Sequence, residues 1–200
     1  MSPTPIEGFL LDIDSKWPAG GPKIPFRVIG STALMLQTAY IRGTKDSDVL
    51  GVDPVIGKVA EGLLALAGKD TPLHRQHQVY LDVVGSGIPF LPQSPRWHPL
   101  EALNLKLRSF EILALDITDV VVSKLKRFHD NDKADIKAMI ERDLVEHAHL
   151  VDRFLSAADL FSMDARASQV TRYSQNLNWV EREYLGVPET DYQLPPWADA

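Results

Sequence analysis

The chain has no cysteine. That excludes a disulfide framework, a thiolate metal site and a thiol nucleophile. It has no apolar run approaching the ~20 residues that a bilayer-crossing helix needs. Residues 1–5 lack a basic stretch, and the apolar run 8–11 is too short for a secretory signal, so a cytoplasmic protein is expected. Positive charge is also in short supply, with 21 Lys and Arg against 27 Asp and Glu and a net charge of -6. Broad, nonspecific nucleic-acid binding is disfavoured, because clustered positive charge is its usual footprint. Local basic groups at Lys124, Lys126 and Arg127, and at Arg75 with His74 and His77, still leave an RNA end compatible as a ligand. No Gly-x-x-x-x-Gly-Lys loop occurs, which disfavours a P-loop hydrolase. Gly85-Ser86-Gly87 falls short of the Gly-x-Ser-x-Gly elbow and reads as a turn after a strand.

What is present is ordinary in amount and informative in order. Two hundred residues with 44% hydrophobic content can bury a substantial core in one large domain or two small ones. The first part mixes elements: a helix over 6–16, a Pro/Gly-rich connection over 17–25, a strand at Phe26-Arg27-Val28-Ile29, a helix over 32–40, a strand through Asp46 and Asp48, a helix over 54–67 and a strand over 78–84. Pro89, Pro92, Pro95 and Pro99 punctuate an irregular stretch that either wraps the core or brings Arg96, Trp97 and His98 near a site. Segments 103–107 and 111–115 are candidate further strands. From Ile117 apolar residues recur at three and four, which predicts helices over 117–128, 133–142, 145–161 and 165–185, then an extended tail over 189–200. The reading is an α/β (α+β) fold with a small mixed sheet over 1–112 and a C-terminal helical bundle over 113–200.

The stretch from Val28 to Asp48 carries the chemistry. A short apolar strand runs into Gly30-Ser31 at the start of a helix, where unpaired backbone N–H groups favour anions and glycine permits close approach. The Ser31 hydroxyl adds a donor. Downstream, Arg42-Gly43-Thr44-Lys45-Asp46-Ser47-Asp48 holds two aspartates two apart. On a strand they share a face and can hold one divalent cation between them; without one they repel. Spacing alone is weak, because Asp12 with Asp14 and Asp130 with Asp132 repeat it. The first pair falls in the 6–16 helix, where residues two apart do not face each other. The second falls where a helix breaks, as turn or cap residues do.

Asp82 is a third candidate ligand. It is the only charge in Gln78-Val79-Tyr80-Leu81-Asp82-Val83-Val84, and a charge in so apolar a strand needs a partner unless it faces solvent from an edge. Joined with Asp46 and Asp48, it completes a set of three carboxylates suited to two magnesium ions. Other residues have two readings each. Arg42 and Lys45 are nucleotide contacts or charge partners of the aspartates. Lys124 reaches a phosphate or belongs to a solvated helix face. Asp135 orders a site or starts a helix. His74-x-x-His77 and His147-x-His149 lack an obvious third ligand for zinc.

In this order, Gly30-Ser31, Arg42-x-Thr44-x-Asp46-x-Asp48 and Asp82 resemble the nucleotidyltransferase superfamily, in particular its bacterial branch of AbiEii-type toxins and related nucleotidyltransferase-like domains. The run from Asp116 to Arg127, followed by Asp132-x-x-Asp135-Ile136, is similar to that branch's lysine helix and late aspartate, so the resemblance spans roughly 28–140. It implies that Gly30 and Ser31 contact terminal phosphates. Arg42, Thr44, Lys124 and Asp135 line the nucleotide site, and Asp46, Asp48 and Asp82 are catalytic and hold Mg2+, two ions with Mn2+ as a substitute. The implied reaction moves a nucleoside monophosphate from a nucleoside triphosphate to a hydroxyl of an RNA end or a protein. A cognate antitoxin is an implied partner. The alternative is a noncatalytic binding or toxin–antitoxin module on the same fold.

Overall fold

A computed structural model describes residues 3–41, 46–50, 56–84, 89–161, 167–192 and 194, and for 46–50, 56 and 167 the backbone alone. The chain forms two units. One comprises 1–88 and 97–115; the other comprises 89–96 and 116–200. The division expected at 112/113 cuts a strand that belongs whole to the first unit, and the proline-rich segment 89–96 goes with the helical unit.

The first unit follows the expected order, with a short helix at Pro72–His77 and a strand at Trp97–Pro99 that the sequence reading did not include. Helix α1 spans Pro5–Lys16, opened by a Thr4 capping box in which Glu7 reaches back to the Thr4 backbone N–H. Strand β1 is Ile24–Val28, α2 is Gly30–Gln37, β2 is Asp46–Leu50, α3 is Ile56–Ala67, α4 is Pro72–His77 and β3 is Tyr80–Val84. Then come β4 at Trp97–Pro99, the short α5 at Glu101–Asn104 and β5 at Phe110–Leu115. Segment 103–107 is therefore not a strand. Asn104 explains why: its side-chain amide donates to the Ile112 carbonyl and its side-chain oxygen accepts from the Ile112 N–H. One side chain does for β5 what a neighbouring backbone would.

The sheet is mixed, in the order β3-β2-β1-β5-β4. β1 runs antiparallel to β2 and parallel to β5, while β2 and β3 run parallel and β4 returns antiparallel to β5. In-register pairs and alternate residues share a face. One face carries Phe26, Val28, Leu81, Phe110, Ile112 and Ala114, all buried, and packs with the apolar sides of α1 and α2 through Phe9, Leu10, Ile13, Ala33 and Leu34. The other face is far more open: Pro25, Asp82, Glu111 and Pro99 are exposed, and Arg27, Tyr80, Leu113 and Trp97 are half-buried. Only toward the end of β5 does Leu115 become buried on it.

Asp12 and Asp14 diverge as a helix requires. Asp14 is buried and accepts backbone N–H groups of Arg108, Ser109 and Phe110 at 2.9, 2.7 and 3.3 Å, which ties α1 to the start of β5. Asp12 instead takes Gln76 and His77 at the end of α4.

The second unit is helical: α6 at Ile117–Lys124, α7 at Asp130–Ile140, α8 at His147–Phe161 and α9 at Val170–Val180, followed by a π-helical turn at Glu181–Leu185. Its core gathers Val120, Val121, Val122, Leu125, Ile136, Met139, Leu150, Phe154, Tyr173 and Leu177. Phe90, from the proline-rich segment, packs edge-on against Phe154 and Phe161 and tilted against Tyr173. Helix α7 starts earlier than its apolar spacing predicts, because Asp130 and Asp132 occupy its first turn and Asp132 takes the His129 backbone N–H. No helix among the described residues is long and apolar enough to cross a membrane.

Candidate active site

Helix α2 begins at Gly30, immediately after β1, so the strand delivers its last residues to a helix N-terminus as the sequence predicts. Gly30 has φ 65°, a left-handed conformation that a side chain resists and glycine does not. Ile29 caps the helix without a side-chain hydrogen bond, and the first turn contains no acid. Both features suit an anion approaching backbone N–H groups. Ser31 follows, half-buried.

The carboxylate positions come together through the strand register. Asp48 in β2 pairs directly with Asp82 in β3, and Asp46 pairs with Tyr80. Positions 46, 48 and 82 therefore belong to one face of two adjacent strands, about 5 Å apart across the ladder. It is the open face, and the Asp82 side chain is exposed on it. β3 is an edge strand of the sheet, so the solvent-facing reading of Asp82 and the ligand reading describe the same geometry: exposed, and paired in register with position 48. The β1–β2 register, Arg27 with Leu50 and Val28 with Val49, continues toward Ile29 beside Asp48, which brings the Gly30 corner to the same end of the sheet. Arg42 and Thr44 lie outside the described residues.

Lys124 and Asp135 have a different setting, in the second unit and within one ion cluster. The Lys124 ammonium lies 2.7 Å from Asp135 and 3.1 Å from Asp132, with its side chain 3% exposed. Arg127 adds a second cation to Asp132 at 3.2 Å. Lys124 is thus no part of a solvated helix face, and the basic group read with Lys126 and Arg127 loses its first member to the interior. Asp135 does not start a helix; it is fully buried in the middle of α7.

The histidine pairs are accounted for singly. His74 Nδ1 accepts the Asp70 N–H and its ring meets Tyr80 edge-on, while His77 bonds Asp12. His147 lies 2.7 Å from Glu181, and His149 faces Arg96. Among the described residues no group of three or more His, Asp or Glu is placed to hold a metal; the Asp46 and Asp48 side chains are outside that set.

One residue of the open face escaped the sequence reading. Arg27 is the only charge in the β1 run, the same signal that singled out Asp82 in β3. Its guanidinium lies over the Trp97 indole at 5.1 Å, and its Nε is buried without a hydrogen-bond partner.

The mixed sheet, the strand that feeds a Gly-Ser helix start and the carboxylate positions on the open face define a small α+β nucleotidyltransferase-like fold. Residues 13–184 match the family described as nucleotidyltransferase of unknown function (DUF6036), and the chain belongs to that family. No curated protein and no solved structure matches it.

Proposed function

We propose that the protein is a metal-dependent nucleotidyltransferase that moves a nucleoside monophosphate from a nucleoside triphosphate to a hydroxyl, with pyrophosphate leaving. The observation that carries this reading is the Asp48 to Asp82 register pair on the open face of the sheet, beside the Gly30 helix start. Such a donor set, oxygen only and on one face, fits hard divalent cations. Asp46, Asp48 and Asp82 would hold Mg2+ or Mn2+, which activates the attacking hydroxyl and neutralises the leaving phosphates. The chain's own residues do the rest. Backbone N–H groups at Gly30 and the Ser31 hydroxyl bind the terminal phosphates. Asp82, exposed to solvent, would accept the proton of the acceptor hydroxyl. Arg42 and Thr44 flank the nucleotide. A contact from Lys124 or Asp135 requires their buried cluster to open, so the cluster acts in this reading by fixing α6 on α7.

We read the finer lineage as the AbiEii-type branch, on the ordered motif Arg42-x-Thr44-x-Asp46-x-Asp48 with Asp82. An RNA end or a protein is then the acceptor, and a cognate antitoxin is a partner. The competing reading is a noncatalytic module on the same fold. Incubation with each labelled triphosphate, Mg2+ and total RNA or cell extract separates them. Label transferred by the unaltered chain and lost by about three orders of magnitude in Asp48→Ala supports the enzyme, a loss on the scale of the several kcal/mol a bound metal contributes. No transfer to any acceptor, with triphosphate binding indifferent to Asp48→Ala, supports the module.

A further inference from the structure

We infer that Arg27, whose guanidinium lies over the Trp97 ring, is a binding residue for the terminal phosphates of the triphosphate, the part that leaves as pyrophosphate. This rests on the nucleotidyltransferase reading and extends it to a residue the motif does not contain.

Three observations converge on Arg27. First, it is a permanent cation with no carboxylate or hydrogen-bond partner among the described residues, and its Nε is a buried orphan donor. The contrast within the same chain is sharp. Arg153 forks onto Asp119 at 2.6 and 2.8 Å, and Arg108 bonds the carbonyls of Asp14 and Ser15. A half-buried guanidinium left without an anion is costly unless a ligand supplies one.

Second, the side chain has an aromatic neighbour on its own face of the sheet. Trp97 lies in β4, two strands from β1, and the guanidinium carbon of Arg27 lies over its indole, 5.1 Å from the ring centre. A cation–π contact of this kind consumes no N–H donor, which leaves the guanidinium donors for a phosphate.

Third, Arg27 stands on the right face and the right side. The register Arg27 to Leu50, with Leu50 to Val84 and Asp48 to Asp82, puts it on the open face with the carboxylate positions. Along the sheet the order is carboxylates on β3 and β2, the Gly30 corner at the end of β1, then Arg27 reaching over β5 toward Trp97 on β4. With about 5 Å between strands and about 3.3 Å per residue, position 48 and the Arg27 backbone are ~8 Å apart. A phosphate chain anchored at the carboxylates and crossing the Gly30 corner therefore runs its far end toward Arg27.

The test is isothermal titration of the full chain, in Mg2+, with a non-hydrolysable nucleoside triphosphate and with the matching monophosphate, for the unaltered protein, Arg27→Gln, Arg27→Lys and Asp48→Ala. Arg27→Gln is expected to weaken the triphosphate by tenfold or more, on the order of one charge-assisted pair, and to leave the monophosphate unchanged. Arg27→Lys keeps the charge but loses the fork and recovers part of the loss. Arg27→Gln binding both ligands as tightly as the unaltered chain, or losing both equally, overturns the inference. Should Arg27→Gln fail to fold, Arg27→Lys decides: triphosphate affinity equal to the unaltered chain's overturns it, and a loss confined to the triphosphate upholds it. A loss in Asp48→Ala beside an unchanged Arg27→Gln defeats this inference and leaves the nucleotidyltransferase reading standing. No triphosphate binding by the unaltered chain defeats both.

Discussion

The helical unit and the open face of the sheet treat charge in opposite ways. In the helical unit each buried acid among the described residues has a cation or a ring of donors: Asp132 and Asp135 hold Lys124, Asp119 holds Arg153, and Glu181 gathers His147, Thr190 and Tyr192. On the open face of the sheet unit Asp82 is exposed and the buried Arg27 Nε has no hydrogen-bond partner among the described residues, both on strands otherwise apolar. Charges that complete their own neighbourhoods fix a structure; charges that do not are available to a ligand. The position of a polar residue in the motif order matters less than whether the fold has already supplied its partner.

That contrast can be broken or sharpened by substitution. The largest effect belongs to the open face. Asp48→Ala should reduce transfer about a thousandfold, yet melt no lower than the unaltered chain, because it removes one of several mutually repelling acids. A large fall in melting temperature would mean that Asp48 is structural.

Next in size is the reverse case. Lys124→Met leaves Asp135 and Asp132 buried without their ammonium, and should destabilise by about 3–5 kcal/mol in urea unfolding. For a chain of this length that corresponds to a fall in Tm of roughly 6–20 °C. Residual activity measured well below the new Tm should stay within a few-fold of normal. Stability unchanged with activity abolished would return Lys124 to the triphosphate.

The smallest effect lies at Glu181. Burial pushes its pKa up, but hydrogen bonds from Thr190, His147 and Tyr192 outweigh burial and hold the carboxyl below its ordinary value of 4.5. A group with a depressed folded pKa stabilises above its unfolded pKa and loses that contribution as pH falls through the folded one. The gap in urea midpoint between the unaltered chain and Glu181→Gln should therefore be constant near neutrality and shrink as pH falls below about 4.5. A gap that grows in acid would show that the charged form is not the one being stabilised. Burial, and then the hydrogen bond that Tyr192 donates to Glu181, raise the Tyr192 hydroxyl well above its ordinary range, so this contact stays protonated throughout.

Much of the sheet unit was legible because its signals are local. Short apolar runs mark β1 and β3, Gly30 marks the corner where the chain turns into a helix with positive φ, and Asp12 with Asp14 diverge as helix geometry dictates. The register that sets Asp48 beside Asp82 was anticipated only as adjacency, since 34 residues separate them in the chain and pairing is a tertiary event. The burial of Lys124 was not foreseen for the same reason. Residues 124, 132 and 135 lie on two helices, and a sequence cannot distinguish a lysine that snorkels to water from one that turns inward onto two acids. Asn104 was read as part of a strand because nothing local reveals that its amide substitutes for a neighbouring backbone. Arg27 was different: its signal was present, a lone charge in an apolar strand, and the criterion applied to Asp82 finds it too.

The central claim is that the open face of the sheet binds a metal-complexed triphosphate through its aspartates. It is tested most directly by titrating a non-hydrolysable triphosphate into the unaltered chain and into Asp46→Ala/Asp48→Ala, each with and without Mg2+. Saturable binding that needs Mg2+ and vanishes in the double variant, with the fold intact by circular dichroism, is the predicted result. Equal binding by both proteins, or binding indifferent to Mg2+, would contradict it.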